Sequence, residues 1–435
     1  MKISVFGVGY VGLTTAACLA NLGHSVLCMD IDKERIRSLE EGKFPFFEPG
    51  LPELVAQNKK RGRLLFTADA AEATDFGEVI FNCVNTPCSE DGSADLRYVF
   101  AVAKTIGENI KEYKVIVNKS TVPPGTTRKT AQIIAENARK PVNFDVVANP
   151  EFLREGDAVR AFNYPDKIVL GSSSDRALTI MRKVYSGRLR TYLPIVETDW
   201  ETAEMIKYAN NTFLATKISF INEVANICDE VGADVKIVAL ALGLDYRISP
   251  RFMNPGIGYG GSCFPKDVKA LIATARQKGY CAKLFEEVDA VNERQKRKMA
   301  QKITAVFNDD IAGRTFGILG LSFKPKTNDM REAPSIQIIQ DLLAAGAKVK
   351  AYDPAAIEEA KKIFNGRITY CDSAEEAAKG SSAMVLVTEW DEFRSISFAD
   401  IGKLMEEKVI FDGRNIYEPE LVKEEGFQYY GVGRR

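Results

Sequence analysis

At 435 residues the chain is too long for one ordinary hydrophobic core, so two or three domains are expected. Its 46% hydrophobic and 27% charged residues are those of a water-soluble globular chain, and no apolar run reaches the roughly 18 residues of a membrane span. Basic and acidic residues number 58 and 59 and are interleaved, leaving a net charge of −1 with no basic stripe for nucleic acid or for a membrane surface, and the cytoplasm is the default location.

Residues 2–7, KISVFG, predict a strand, 10–23 a helix ended by Gly23, and 25–30 a second strand. Between the first strand and the helix lies GVGYVG. Gly7 permits a tight turn, Gly9 lets a pyrophosphate approach the backbone, and Gly12 allows the helix to pack closely on the strand. The helix N-terminus favours phosphate, and Asp30, closing the second strand, can accept from both hydroxyls of a ribose. An acid there repels a 2′-phosphate and so favours NAD over NADP, a preference that Arg35 tempers. Further strands are predicted at 63–68, 78–87, 114–120 and 145–150, with helical segments between them, which implies a parallel sheet covered on both faces. VNTP (84–87) and NKSTVPPGT (118–126) follow strands whose carboxyl ends should face a ligand. Thr86 and Thr121 are therefore candidates for cofactor or water contacts, with plain turn chemistry as the alternative.

From about 198 to 232 helical periodicity persists far beyond the usual helix length. Thr198 or Asp199 can cap its start and Gly232 its end, and such a helix spans between domains or carries an oligomer interface. Two polar pairs stand at i,i+4: Lys207/Asn211 on this helix, and Glu151/Glu155 in NPEFLREG. Either pair could be a solvated helix face, but a lysine set among the apolar and small residues of EMIKYANNTFLA is suited to stabilising an oxyanion.

The helical region continues to about 305 and contains GYGGSCFPKD (258–267). Glycines 256, 258, 260 and 261 permit unusual backbone angles and close ligand approach. A helix is predicted from Pro265, placing Cys263 just before its N-terminus, where the dipole and Lys266 stabilise a thiolate and Asp267 can share its side. That setting favours a nucleophile over a buried core thiol. No metal ligands stand nearby, and no metal is expected. The other seven cysteines form no C-x-x-C pair and read as reduced thiols. With His24 the one histidine, acid–base chemistry falls to Cys, Lys, Asp, Glu, Thr or Asn. The last segment resumes α/β alternation: a strand at 314–323, a helix at 335–346, a strand at 347–354 ending in Asp353, and a strand at 382–390. The expected fold class is thus α/β, two Rossmann-like doubly wound domains (1–198 and 306–435) joined by a long central helix and helical region (199–305).

GVGYVG, VNTP, STVPPGT, NPEFLREG, EMIKYANN, GYGGSCFPKD, SFKPKTNDMRE and FDGRN occur in that order along the whole chain, which in these stretches resembles the UDP-glucose/GDP-mannose dehydrogenase family. The resemblance implies an NAD-dependent, four-electron oxidation of a nucleotide-sugar C6 alcohol to a carboxylate. It implies Cys263 as nucleophile, Asp267 and Lys207 managing the proton and oxyanion of the C6 oxygen, Asn211 assisting, and Glu151 and Thr121 positioning and activating the hydrolytic water. Phe152, Leu153, Arg154, Glu155, Phe252, Met253, Asn254, Pro255, Gly256, Gly260 and Lys324 would line the sugar-nucleotide site alongside Glu151, Lys207 and Asn211. Arg247 would reach the substrate of a neighbouring subunit, and the long helix would build a homodimer or higher oligomer. Gly7, Gly9, Val11, Gly12, Asp30, Arg35, Thr86, Thr121, Glu155, Lys266 and Arg331 would contact NAD. YRISPRFMNPGIGYGGSCFPKD resembles the UDP-glucose branch, which implies UDP-glucose as substrate and UDP-glucuronate as product, with GDP-mannose or a UDP-N-acetylhexosamine as alternatives. Two rival classes are a two-electron β-hydroxyacid dehydrogenase, which needs neither Cys263 nor a second nucleotide domain, and an NAD-binding redox sensor that uses Cys263 as an oxidisable thiol.

Overall fold

The chain divides into two units, Met1–Asn210 and Asn211–Arg435, in a computed structural model that describes residues 1–186 and 194–434. In the first unit the apolar runs form β1 (Lys2–Phe6), β2 (Ser25–Met29), β3 (Leu64–Thr67), β4 (Val79–Asn82), β5 (Lys114–Asn118), β6 (Phe144–Ala148), β7 (Ile168–Gly171) and β8 (Ile195–Thr198). They lie in the order β3-β2-β1-β4-β5-β6-β7-β8. From β3 to β6 the strands are parallel, with Ile3 opposite Val26 on one side and Val79 on the other. Because side chains alternate along a strand, neighbours enter different cores: Val5, Phe81, Val117 and Val147 join one, Phe6, Ile80, Ile116 and Val146 the other. Both faces are therefore buried, as parallel strands require.

The strands expected from the sequence are all parallel, and the sheet continues beyond them at its far edge. There β7 meets β6 antiparallel through the single pair Ala148 and Gly171, and β8 then runs parallel to β7. A one-pair contact between the five-residue β6 and the four-residue β7 leaves little periodicity to read. Gly171 is required here because a Cβ would lie 2.5 Å from the Asp199 carbonyl oxygen.

Asp199 starts the long helix, Trp200–Val231, by accepting from the Thr202 N–H at 2.7 Å, while Thr198 closes β8. Gly232, at φ 74°, ends it in the left-handed conformation that glycine adopts without strain. In the second unit the helices Val235–Leu244, Phe264–Gln277 and Lys283–Val306 follow. Then come β9 (Thr315–Leu319), β10 (Lys348–Tyr352), β11 (Thr369–Tyr370), β12 (Ala383–Leu386), β13 (Val409–Asp412) and β14 (Gln428–Gly431). Their order, β11-β10-β9-β12-β13-β14, all parallel, is that of a doubly wound dinucleotide-type sheet. Ile318, Val385 and Phe411 enter one core, Leu319, Leu386 and Ile410 the other. The two-Rossmann reading with its long helix and helical region is the observed architecture. Among the described residues no helix is long and apolar enough to cross a membrane.

Candidate active site

The turn after β1 is shaped by backbone crowding. A Cβ on Gly12 would stand 1.8 Å from the Gly7 carbonyl oxygen, and one on Gly7, at φ 87°, would stand 3.0 Å from Val84. Gly9 has open space instead, its nearest neighbour being Asn85 Oδ1 at 3.6 Å, and it caps the helix Tyr10–Asn21 with no side chain on the free N–H groups. Val11, in the first turn of that helix, is half-buried. The Val8 N–H donates to Asp30 Oδ2 at 3.0 Å, and Arg35 pairs with the same oxygen at 3.1 Å. An open cradle at Gly9, an uncapped helix end and a carboxylate at the end of β2 are the parts a dinucleotide needs, so these residues fit NAD. The corresponding turn of the second unit repeats the scaffold without the cradle. Gly320 N–H donates to the Tyr352 carbonyl at 2.8 Å, as Gly7 does to Met29, and Asp353 accepts from Leu321 N–H at 2.7 Å, but no counterparts of Gly9 and Gly12 follow.

The first unit gathers several of the expected residues. Thr86 donates from its hydroxyl to the Thr121 carbonyl at 2.9 Å, which joins the loops after β4 and β5. Glu151 follows β6 in irregular backbone, so the helix-face explanation of the Glu151/Glu155 pair falls. Glu151 is buried, with Oε1 accepting from Lys207 Nζ at 3.0 Å and Oε2 from the Leu153 N–H. Burial alone would raise this carboxyl, but the Lys207 charge, the hydrogen bonds from Leu153 and Lys207, and the charge of Lys119 outweigh it and hold it below the ordinary range. Lys207 is itself buried, with its ammonium 5.3 Å from the Phe152 ring centroid. Lys119, which the sequence motifs did not single out, is a third charge in this cluster. It donates to Asn149 Oδ1 at 3.3 Å, and burial pulls it down to about 8 against the upward pull of Cys83 and Glu151. Leu153 packs against the core, while Arg154 is exposed and paired with Asp157 at 3.3 Å; Glu155 is half-buried.

In the second unit Cys263 is the N-cap residue of the helix Phe264–Gln277, partly exposed, with Ser262 Oγ 3.5 Å from its sulfur. Asp267 is fully buried one turn on, and its N–H donates to the Cys263 carbonyl at 2.9 Å. Both carboxylate oxygens are used: Asn211 Nδ2 donates to Oδ2 at 2.7 Å and Lys266 Nζ to Oδ1. Asn211 is therefore no solvated position. A thiol at a helix N-terminus beside a fixed Lys–Asp–Asn set can act as a nucleophile whose proton traffic is managed nearby.

Three family descriptions match the chain in order: the UDP-glucose/GDP-mannose dehydrogenase NAD binding domain over residues 1–188, the central domain over 201–294, and the UDP binding domain over 317–419. The chain belongs to the UDP-glucose/GDP-mannose dehydrogenase family. It is 46% identical over 433 residues to the UDP-glucose 6-dehydrogenase TuaD of Bacillus subtilis strain 168, covering 100% of this chain and 93% of that one. Among solved structures it is similar to a UDP-glucose dehydrogenase from Pyrobaculum islandicum, at a TM-score of 0.93 and 37% identity over 100% and 98% of the two chains. It also matches a UDP-D-ManNAc dehydrogenase from Pyrococcus horikoshii, at 0.87 and 30% over 100% and 99%. Like its family it is an NAD-dependent oxidoreductase.

Other positions that the family resemblance implicates are more dispersed. In the second unit Phe252 adopts a left-handed φ of 61° and lies 6.2 Å from the Phe264 ring, Met253, Pro255 and Gly256 are buried, and Asn254 is exposed. A Cβ on Gly260 would meet the Glu332 carbonyl oxygen at 2.3 Å, so packing alone requires glycine there. Lys324 lies over the Phe323 ring at 5.3 Å. Arg247 and Arg331 are exposed and held by Asp245 and Asp329 at 2.6 and 2.7 Å. Missed by the motif reading were Lys119 and the side-chain amides of Asn222, Asn292 and Gln295, whose only signal was polarity inside apolar helical or strand surroundings.

Proposed function

We propose that this enzyme oxidises UDP-glucose to UDP-glucuronate in two successive two-electron steps on one carbon, with Cys263 holding the carbon covalently between them. NAD, when bound, takes up one hydride in each oxidation, so two NADH form per sugar. In the first step Asp267 and Lys207 take up the hydroxyl proton and steady the developing oxyanion, with Asn211 fixing the carboxylate. The aldehyde has no second hydride to give until something adds to its carbonyl. The Cys263 sulfur adds, forming the C–S bond of a thiohemiacetal, and oxidation of that species leaves a thioester. Water then attacks the thioester carbon with Glu151 accepting its proton and Thr121 orienting it, the C–S bond breaks, and the thiol is restored. The domain layout that goes with this is a dinucleotide domain over 1–198, a helical region over 199–305 that carries the thiol and the subunit interface, and a nucleotide-sugar domain over 306–435. Arg331, Lys266, Thr86 and Glu155 are assigned to the cofactor, and Phe252 to Gly256, Gly260 and Lys324 to the sugar nucleotide.

The observation that carries the proposal is Cys263 at a helix N-terminus, one turn from a buried Asp267 whose two oxygens are held by Asn211 and Lys266. UDP-glucose is favoured because relatives named for it share 46% and 37% identity, against 30% for the UDP-D-ManNAc enzyme. A panel of UDP-glucose, GDP-mannose and UDP-N-acetylhexosamines, with NADH counted against sugar consumed, tests both parts. The expected result is two NADH per UDP-glucose and a kcat/KM at least about a hundredfold above the others. A preference for another sugar would move the substrate while leaving the chemistry, and one NADH per sugar would remove the second oxidation.

A further inference from the structure

The glycine-rich stretch that leads to Cys263 belongs to no helix or sheet ladder, and side chains satisfy much of its buried backbone. Residues 256–261 form neither helix nor strand, Gly258 and Gly261 sit at φ 96° and 84°, and every residue from Gly256 to Gly261 is buried. Buried peptide N–H and C=O groups must find partners. Here they find side-chain amides. Asn292 Oδ1 accepts from the Tyr259 N–H at 2.8 Å, while Asn292 Nδ2 donates to the Tyr259 carbonyl at 3.0 Å. The same is done for Gly256 by two residues: Asn222 Oδ1 accepts from its N–H at 2.8 Å, and Gln295 Nε2 donates to its carbonyl at 2.7 Å. All three amides are 1% exposed, and Asn292 and Gln295 come from one helix, Lys283–Val306. Only a group that is donor and acceptor at once can do what Asn292 does, which excludes a carboxylate or an apolar side chain.

The contacts continue toward the thiol. A Cβ on Gly258 would lie 2.9 Å from Asn292 Oδ1, so glycine lets the amide reach the backbone. The Gly261 N–H donates to the Arg331 carbonyl at 2.8 Å, and Lys296, from the same helix as Asn292, pairs with Glu332 at 3.1 Å. The Tyr259 ring meets Phe264 edge-on at 5.9 Å, and Phe264 is the first residue of the helix that Cys263 caps. We propose that Asn292 and Gln295 are positioning residues for the Cys263 sulfur: acting through the peptide groups of Tyr259 and Gly256, they hold a glycine-rich segment in the one conformation that sets the thiol at its helix N-terminus. This rests on the reading of Cys263 as the nucleophile. Glycine-rich backbone has the most freedom to lose, and a displacement of about 1 Å at a reacting atom costs on the order of a hundredfold in rate.

Two near-isosteric variants remove one donor each. Asn292→Asp keeps the acceptor for the Tyr259 N–H and loses the donor to its carbonyl. Gln295→Glu keeps the acceptor for Asn226 Nδ2, now at 2.9 Å, and loses the donor to the Gly256 carbonyl. Each is made in a Cys88→Ser, Cys281→Ser background, because those two are the exposed cysteines among the described residues. The measurements are kcat, NAD affinity, melting temperature, and the rate of Cys263 alkylation by iodoacetamide across pH. The expected result is kcat lower by about a hundredfold, the alkylation profile moved to higher pH as the thiol leaves its helix end, and NAD affinity unchanged. Either folded variant with wild-type kcat and a wild-type alkylation profile overturns the proposal, and a lower melting temperature with both preserved marks that amide as structural only. If Asn292→Asp does not fold, Gln295→Glu decides the matter. A Cys263→Ala enzyme that stayed active would remove the nucleophile and leave the alkylation comparison standing, so the two failures are told apart.

Discussion

Asp30 and Glu151 are both buried carboxylates beyond the carboxyl ends of strands, each held by backbone N–H and a basic side chain. Asp30 is held by the Val8 N–H, the Asp32 N–H and Arg35, all at about the edge of the dinucleotide turn. Asp30→Ser removes the carboxylate that would accept from a ribose and repel a 2′-phosphate, and it leaves Arg35 paired with Asp32 alone. NAD binding should weaken roughly tenfold and the bias against NADP should shrink, as read by fluorescence titration with each cofactor. Unchanged affinity and preference would remove Asp30 from the ribose. Glu151 is paired with Lys207, which is buried where Arg35 is not, and Lys119 adds a second positive charge. Glu151→Gln keeps the shape and loses the base, so the expected outcome is a burst of NADH followed by slow turnover, with an acyl adduct on Cys263 visible by mass spectrometry. Lys207→Ala should slow both oxidations by about 10²–10³. A Glu151→Gln enzyme with no burst and no adduct would place the slow step elsewhere.

At the scale of elements, the long helix anchors the loop that follows β5. Glu204, one turn from its start, accepts from the Gly125 and Thr127 N–H groups at 2.7 Å each, at the N-terminus of the helix Thr126–Asn137 that follows the Thr121 loop. Burial pushes this carboxyl up to about 7, against the lowering effect of those N–H donors. A raised carboxyl binds more protons folded than unfolded, so its contribution is fully present below the ordinary glutamate value and is lost as pH rises through about 7. The unfolding free energy of wild type minus that of Glu204→Gln should therefore fall between about pH 4.5 and 7, by up to about 3 kcal/mol. A difference flat with pH would contradict it. Elements and site were legible in the sequence to different depths. The dinucleotide turn could be read because Gly12 and Asp30 serve one local purpose at fixed spacing, and the long helix because its periodicity is long and its caps, Asp199 and Gly232, are local. The β7–β8 edge could not, since one residue pair joins it to the sheet. Lys119 and Asn292 were invisible for a related reason: each is defined by partners 30 and 33 residues away.

For the whole molecule, the surface left open on the helical region points to assembly. Phe213, Phe220 and Ile227 are 65%, 52% and 57% exposed at spacings of seven along the long helix, and Ile237, Leu240 and Leu244 are exposed on the next. A second copy of the chain is the proposed cover, with Arg247, 74% exposed, acting on the neighbouring subunit's substrate. Mixing Arg247→Ala subunits with Cys263→Ala subunits should then recover part of the activity in heterodimers, and no recovery after proven subunit exchange would confine each site to one chain. In the proposed mechanism one sulfur carries the sugar carbon through both oxidations, and Cys263→Ala removes that sulfur. NADH and uronic acid are counted per UDP-glucose, with a carbonyl trap present. The wild type should give two NADH and almost no trapped aldehyde, and Cys263→Ala no acid at all with folding and NAD binding intact. Two NADH and the acid formed by Cys263→Ala at near wild-type rate would contradict that mechanism.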